Sequence, residues 1–498
     1  MRKLAFLIIV ISAIIMFWQI HRYPIHLGIF EGACGLSALQ VIEGDQARIE
    51  LLWERAAGGR RTYVGLSLWS DRNPFLIYPT AFFIKLFGVD RYYITLRAAA
   101  IIYGILSVWL TYLVIGKMFN RQMGLIAAFI LATSSWFIAF SRICHDFSVT
   151  IFYSLICIYI YSLSDRPRNP LGYILLGAIL GLADYFYFPS RVILPVILFA
   201  ILIRVITERG YFKTYRLHLV LMGIAYLLTL HFRGLSLAQL SSMGRANCEW
   251  FWVRYNYHPH RCSTPWAYLL QILNFAYKRF FVDWGWHWDP VCERDACLGP
   301  VTRYVLIAGV IWALAKIKDH KHRFLLIWFV ATAVPTLVTQ VWFRRSLLVL
   351  PAIAALASLA IYNTLFFLTS WIKKGRNVVR FILIVIVLFP IAWLNLDHYF
   401  GLYGNERIEY VREHLKDREL REKFIEMLKK YKVYTNFKPV AAGYREGVKF
   451  DAKRLKREGY YMLNKEEKIR KAFNSDPGPC ALLLKSGELK IKEGKEAE

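Results

Sequence analysis

No two of the eight cysteines are spaced CxxC, and neither a zinc-finger spacing nor an RNA-binding signature occurs anywhere in the 498 residues. The net charge of +28 therefore lacks a nucleic-acid explanation. Acidic residues are scarce, 35 against 63 Lys and Arg, so carboxylates outside the charged tail call for a reason. No internal repeat and no low-complexity tract is visible. The two halves do not resemble each other, which counts against a transporter built from repeats. The first apolar run has no clear small-x-small cleavage site after it, so it reads as a retained helix rather than a signal peptide.

What is present is apolar. Hydrophobic residues make up 57% and aromatics 16% of the chain, and runs of span length recur throughout, which marks a polytopic helical membrane protein. The abundant Tyr and Trp suit the headgroup level. Leu4–Ile20 follows Arg2 and Lys3, which places the N-terminus in the cytoplasm. Further crossings are expected near Arg97–Ile115, Met123–Phe140, Phe147–Leu163, Leu171–Tyr185, Val192–Ile206, Leu217–Phe232, Tyr304–Ala315, Phe324–Val341, Ser346–Leu368 and Val378–Leu396, about eleven in all. The loops this count assigns to the cytoplasm carry Lys117 and Arg121, Arg166 and Arg168, Arg209, Lys213 and Arg216, Lys316 to Arg323, and Lys373 to Arg376. Each is basic, as the positive-inside rule requires, and such loops meet anionic lipid. The opposite loops hold more aromatics, carboxylates and histidines, so the chemistry is expected outside.

Two parts follow from this pattern. Residues 1–403 form the membrane domain, with a first outer loop over 21–95 and a large outer loop over 233–303. Within the first, Pro74–Gly88 is apolar but too short to cross and fits a helix lying in the interface. Residues 404–498 change character. An amphipathic helix opens the segment, and Lys432–Phe437 and Ala481–Leu484 read as strands of a small α/β domain. An odd number of crossings puts that domain outside.

Candidate chemistry gathers on the outer side. Glu31 lies just beyond the first crossing, either as a solvated loop carboxylate or as a catalytic one. Ser141-Arg142-Ile143-Cys144-His145-Asp146 joins two helices. Arg142 and Asp146, four apart, serve either as a helix-end pair with Asp146 as N-cap or as part of a site. Tyr187 and Arg191 lie in the aromatic corner Asp184–Arg191, suited to belt packing or to a phosphate or sugar. Trp286, His287 and Asp289 sit in a tryptophan-rich stretch of the large outer loop. Together with His258 and His260 they leave a divalent metal open, although the spacing matches no standard metal motif. Arg344 and Arg345 start an outer helix, as headgroup anchors or as a phosphate clamp. Cys248, Cys262, Cys292 and Cys297 share the large outer loop, where an oxidising compartment allows pairs and a reducing one leaves thiols.

Four stretches resemble the polyprenyl-phosphate-sugar transferases of the GT-C class, which include protein O-mannosyltransferases and lipid A aminoarabinose transferases. They are Phe30–Leu39; Asn73–Tyr78 with Lys85–Gly88; Arg97 through Arg142; and Leu175–Gly181 with Tyr185–Arg191 and Pro195. The likeness covers about residues 1–200, is weaker over Trp284–Asp289 and Arg344–Pro351, and does not reach the tail. One departure stands out: where the family has Asp-Glu, this chain has Phe30-Glu31.

The resemblance implies a polytopic all-α membrane domain and sugar transfer from a polyprenyl phosphate to an acceptor hydroxyl on the outer face. Glu31 and Asp146 are then the expected acid–base pair, and Arg344, Arg345, Arg191 and Arg142 the donor-phosphate set. His145, Tyr187, Trp286, His287 and Asp289 are expected to line the substrate. Partners are the lipid-linked sugar, membrane lipid and an acceptor lipid, glycan or protein, with no nucleic acid and no nucleotide site. The expected location is the inner membrane. A flippase is the rival from another class, but its ionisable residues would reach mid-membrane rather than gather on one side. An inactive scaffold is a third reading, motivated by Phe30.

Overall fold

The computed structural model describes residues 2–20, 34–35, 38, 41–42, 62–63, 66–67, 73–88, 92–164, 169–186, 188–232, 267, 270, 273–274, 298–338, 347–402, 462–463 and 491–492. Hydrocarbon offers the backbone no hydrogen-bond partner, so a chain this apolar closes its bonds within helices. The helices are α1 (Arg2–Phe17), α2 (Pro74–Phe87), α3 (Tyr92–Met118), α4 (Arg121–Thr133), α5 (Ser135–Ser141), α6 (Asp146–Leu163) and α7 (Leu171–Leu180). They continue as α8 (Ile193–Thr207), α9 (Tyr211–Phe232), α10 (Pro300–Ala315), α11 (His320–Val338), α12 (Leu350–Leu368) and α13 (Arg376–Leu396). Two-residue antiparallel pairings, Thr62–Tyr63 with Leu66–Ser67 and Met462–Leu463 with Ile491–Lys492, are the strands among the described residues, and two 3-10 turns and a π-helical turn at Asp397–Leu402 accompany the helices.

Every expected crossing meets a helix, but not every helix is a full span. Among the described residues five helices are long and apolar enough to cross, and a sixth if α4 and α5 count as one broken span. The remaining expected crossings are shorter or less apolar over their helical part. Met123–Phe140, expected as one straight crossing, bends by 65° at Ser134. Ser134 has extended backbone (φ −65°, ψ 120°), and its hydroxyl faces the amide of Phe137 as the cap of α5. A serine in an apolar run thus ends one helix and starts the next. The expected strands at Lys432–Phe437 and Ala481–Leu484 lie outside the described residues.

The chain divides into two units. One comprises Met1–Trp18, Ala100–Arg142 and Asp146–Tyr399; the other comprises Gln19–Ala99, Ile143–His145 and Phe400–Glu498. In the first unit α12 is the central helix, packed by α10 and α4, while α9 lies along α7 and α11 along α8. Small residues make the centre possible. Ala352, Ala354, Ala355, Ala357 and Ala360 are all buried on α12, and lipid-phase helices pack through such short side chains. By contrast α13 turns Phe381, Ile382, Val385, Ile386, Phe389 and Trp393 outward. An apolar exterior of this kind is a face for lipid. Hydroxyls inside the helices bond back to carbonyls of the preceding turn, as Thr111 does to Ser107 (2.8 Å).

In the second unit α2 behaves as its sequence suggests. Asn73 accepts from the Phe75 amide, Pro74 opens the helix, and Gly88 closes it at φ 78°. Fourteen residues reach only about 21 Å, short of a bilayer core. Leu76, Ile77, Thr80, Ala81 and Ile84 are buried, while Phe75, Tyr78, Phe82 and Leu86 form an exposed apolar stripe. A helix that is apolar on both faces fits the protein–lipid boundary.

Several close helix contacts in the bundle depend on glycine. A Cβ at Gly309 of α10 would collide with the Leu356 carbonyl of α12, and one at Gly177 of α7 with the Met222 carbonyl of α9. At Gly223 of α9 a Cβ meets nothing within 4 Å. Gly309→Leu and Gly177→Leu are each expected to cost about 1–3 kcal/mol or to prevent folding. Gly223→Leu should be tolerated, as read by melting temperature and by monodispersity in detergent.

Candidate functional site

The turn between α5 and α6 holds three of the expected site residues, all buried. Arg142 ends α5, its amide donating to the Ile138 carbonyl. The His145 amide donates to the Ile143 carbonyl at 2.7 Å and tightens the turn. Asp146 then opens α6, where the aligned peptide dipoles favour negative charge. Arg142 is 0% exposed, His145 3% and Asp146 6%. Such burial of ionisable groups is rare without a structural or functional cause.

One cause is visible for Arg142. Its Nη1 donates to the Ile15 carbonyl (3.1 Å) and its Nη2 to the Trp18 carbonyl (2.7 Å). These belong to the end of α1, whose last carbonyls have no partner within the helix. The guanidinium also lies 5.5 Å from the centre of the Tyr399 ring, within cation–π range. Arg142 therefore caps α1 while adding positive charge beside the turn. In the second unit Arg97, also 0% exposed, donates to the Ile20 carbonyl at 3.1 Å. Sequence reading treated Arg97 only as the start of a crossing. The available signal was an arginine within an otherwise apolar run.

The aromatic corner is built by two short 3-10 turns, Ala183–Tyr185 and Phe188–Val192. Ser190 donates to the Ala183 carbonyl (2.6 Å) and locks one turn on the other. Tyr153 of α6 donates to the Ile179 carbonyl (3.0 Å) and stacks on Phe186 at 4.1 Å between ring centres. Arg191 leaves this corner half-buried. The α6 helix thus starts at Asp146 and also braces the corner that carries Arg191.

A second group was missed by sequence reading. Cys34 and Cys144 are both fully buried, with their Sγ atoms 3.1 Å apart. The Thr80 hydroxyl of α2 lies 3.9 Å from Cys34 and 3.7 Å from Cys144, and donates to the Leu76 carbonyl at 2.8 Å. The two cysteines are 110 residues apart, so no spacing rule could pair them.

Glu31, Tyr187, Trp286, His287, Asp289, Arg344 and Arg345 lie outside the described residues, as do His258, His260 and the four outer-loop cysteines. Among the described residues no three His, Cys, Asp or Glu gather as a metal site.

A cleft of about 320 Å³ opens at the other end of the bundle, lined by Lys117, Tyr161, Arg204, Lys321, Arg323 and Phe324 among others. It lies at the end of α6 away from Asp146. Its chemistry is cationic and aliphatic, and it matches the basic loops expected on the cytoplasmic side. Asp319 caps the helix there, accepting from the Lys321 amide (3.2 Å) and facing His322 Nδ1 (2.7 Å). Although burial opposes its charge, these two partners hold the Asp319 carboxyl below its ordinary value. No candidate site residue lines this cleft.

The bundle is mostly helical, as the four motifs that resemble the GT-C class imply. The family model described as dolichyl-phosphate-mannose-protein mannosyltransferase matches residues 71–232. That range includes α2 to α9, the Arg142–Asp146 turn and the aromatic corner. The fold is similar to that of the archaeal oligosaccharyltransferase AglB from Archaeoglobus fulgidus, solved with an inhibitory peptide and a dolichol-phosphate. The identity is 14% and the TM-score 0.50, covering 80% of this chain and 55% of that one. The chain thus spans about half the length of that structure. ArnT from Cupriavidus metallidurans bound to undecaprenyl phosphate aligns with a TM-score of 0.47 and 14% identity, covering 83% of this chain and 80% of that one. No curated protein matches the sequence.

Removing the α1 cap tests the structural role of Arg142. Arg142→Ala leaves carbonyls of Ile15 and Trp18 without their donor and should cost about 2–4 kcal/mol. Hydrogen exchange should rise most in the last turn of α1. A uniform change along the chain would refute the capping role.

Proposed function

We propose that this chain is an integral-membrane glycosyltransferase moving a sugar from a polyprenyl-phosphate donor to an acceptor hydroxyl on the extracytoplasmic face. The observation that carries the reading is the buried Arg142–His145–Asp146 turn inside the stretch that matches the mannosyltransferase family model. Two further features support it. Cys34, three residues beyond Glu31, packs on Cys144, two residues before Asp146. The AglB structure of similar fold carries a dolichol-phosphate, a ligand of the donor's chemical class.

The proposed reaction is a single displacement. The acceptor oxygen attacks the anomeric carbon as the bond from that carbon to the phosphate oxygen breaks, and polyprenyl phosphate leaves. Glu31 takes the acceptor proton, and Asp146 supplies the second carboxylate that the Asp-Glu pair of the family would give. Because position 30 is Phe, the two acids come from different segments. Arg344, Arg345 and Arg191 hold the leaving phosphate, since a phosphate in a low-dielectric cleft needs paired charge and several donors. Arg142 adds positive charge beside the turn while capping α1. His145, Tyr187, Trp286, His287 and Asp289 line the sugar and acceptor, the ring of Trp286 offering a stacking face. A divalent metal near the outer-loop histidines stays open.

The accompanying topology has the N-terminus in the cytoplasm, about eleven crossings, and the 404–498 domain outside. Cysteine-accessibility labelling within 432–437 should then react from the extracytoplasmic side.

Purified protein in lipid nanodiscs, incubated with a panel of polyprenyl-phosphate sugars, should release sugar from at least one donor. Glu31→Gln should reduce that release by about 100-fold or more without lowering the melting temperature. Arg345→Ala should weaken donor binding by about tenfold and leave acceptor binding unchanged. Full activity in Glu31→Gln would remove the base from the mechanism. Absence of release from every donor, with donor binding intact, would favour the scaffold reading that Phe30 motivates.

A further inference from the structure

We infer that Cys34 and Cys144 are joined by a disulfide in the native protein. The inference rests on the extracytoplasmic placement of this end of the bundle, because disulfides persist in oxidising compartments. The geometry stands independently of that placement. The two sulfurs lie 3.1 Å apart, closer than unbonded sulfurs ordinarily approach, and both side chains are 0% exposed. The Thr80 hydroxyl, at 3.7 and 3.9 Å, already donates to the Leu76 carbonyl. A shared metal is not indicated either, since no third ligand joins them among the described residues.

The surroundings fit a covalent tie. Around Cys34 the chain is seated against the rest of its unit at several points. Ala38 is fully buried, and a Cβ on Gly35 would come within 3.0 Å of Leu96. The bond would close a loop of 110 residues, and long loops gain the most from cross-linking. It would fasten the segment that follows Glu31 to the turn that leads into Asp146. A chain lacking the paired acid at position 30 would thereby hold its two separate carboxylate-bearing segments together.

The chemistry balances with an oxidant of the protein dithiol–disulfide class. The thiolate of one cysteine attacks the oxidant's disulfide to form a mixed disulfide, and the other displaces the oxidant. Two S–H bonds break and one Sγ–Sγ bond forms. Both electrons and both protons end on the oxidant, which leaves as its dithiol. Complete burial of both sulfurs requires this to happen during folding, before the segment docks.

The test is made on the full chain in its membrane. Cells are treated with N-ethylmaleimide, the protein is denatured in excess reagent, and the peptides are mapped without reductant. The expected result is a linked peptide pair containing Cys34 and Cys144 that separates on reduction. Cys157, fully buried within α6, is not part of the proposed pair; it should carry the maleimide and so serves as the internal control. Maleimide on both Cys34 and Cys144 would overturn the inference. Melting temperatures give a second measure. Cys34→Ala, Cys144→Ala and the double variant should lose the same amount, and reductant should lower the wild type alone. Losses that add, with a wild type indifferent to reductant, would overturn the bond. If a variant does not fold, the peptide map of the wild type still decides. Sugar release is assayed separately. A bonded pair in a protein that transfers no sugar would sink the proposed function and leave the disulfide standing.

Discussion

Backbone groups without water are the constraint on which this structure depends. In hydrocarbon a carbonyl or amide that leaves a helix must find another partner at once. The interruptions in this chain carry such partners. Arg142 serves the end of α1, and Ser134 caps α5 where the chain bends. Ser190 ties the two turns of the aromatic corner, and Arg380 reaches the Thr369 hydroxyl (3.1 Å) at the other end of the bundle. Helix ends are where polar side chains can be both needed and satisfied. They are also where a membrane enzyme can keep ionisable groups without isolating them in lipid. At the Arg142–Asp146 turn, Arg142 supplies such donors to the end of α1.

Packing follows the same logic. Lipid tails are as apolar as leucine, so burying apolar surface gives helices little reason to associate. Fit supplies it instead. The alanine-rich face of α12 and the bare backbone at Gly309 and Gly177 let helices approach to carbonyl contact. The outward residues of α13 and the stripe on α2 are left for lipid.

Much of the helical layout was legible in the sequence, because long apolar runs and basic loops are strong local signals. The short helix at Pro74 was legible for the same reason, together with Asn73, Pro74 and Gly88 as its punctuation. The break at Ser134 was not, since one serine in an apolar run looks like any hydroxyl that bonds back to its own helix. Of the site, the buried turn was visible as a cluster of charge between two runs. The division of labour within it was not. Arg142 and Asp146 read as a local pair at spacing four, whereas Arg142 also reaches carbonyls more than 120 residues away. The contact of Cys34 with Cys144 is equally long-range. Local pattern does not carry such pairings, because they are decided by which helices become neighbours.

The loss of a paired carboxylate at position 30 can be weighed in the same terms. Two adjacent acids in one segment repel each other, and a neighbouring cation or bound ligand must offset that repulsion. Phe30 removes the repulsion and with it one proton acceptor. In the proposed reaction Asp146 takes the place of that acceptor. It stands in the first turn of α6, where the macrodipole favours negative charge, and four residues after a guanidinium fixed by two carbonyls. The cost moves from electrostatics to geometry. Two acids on separate segments can act on one substrate only if those segments are held in register. Adjacent residues need no such support. In the proposed reaction the two acids sit on separate segments, and Cys34 and Cys144, a few residues from each, meet with both side chains fully buried.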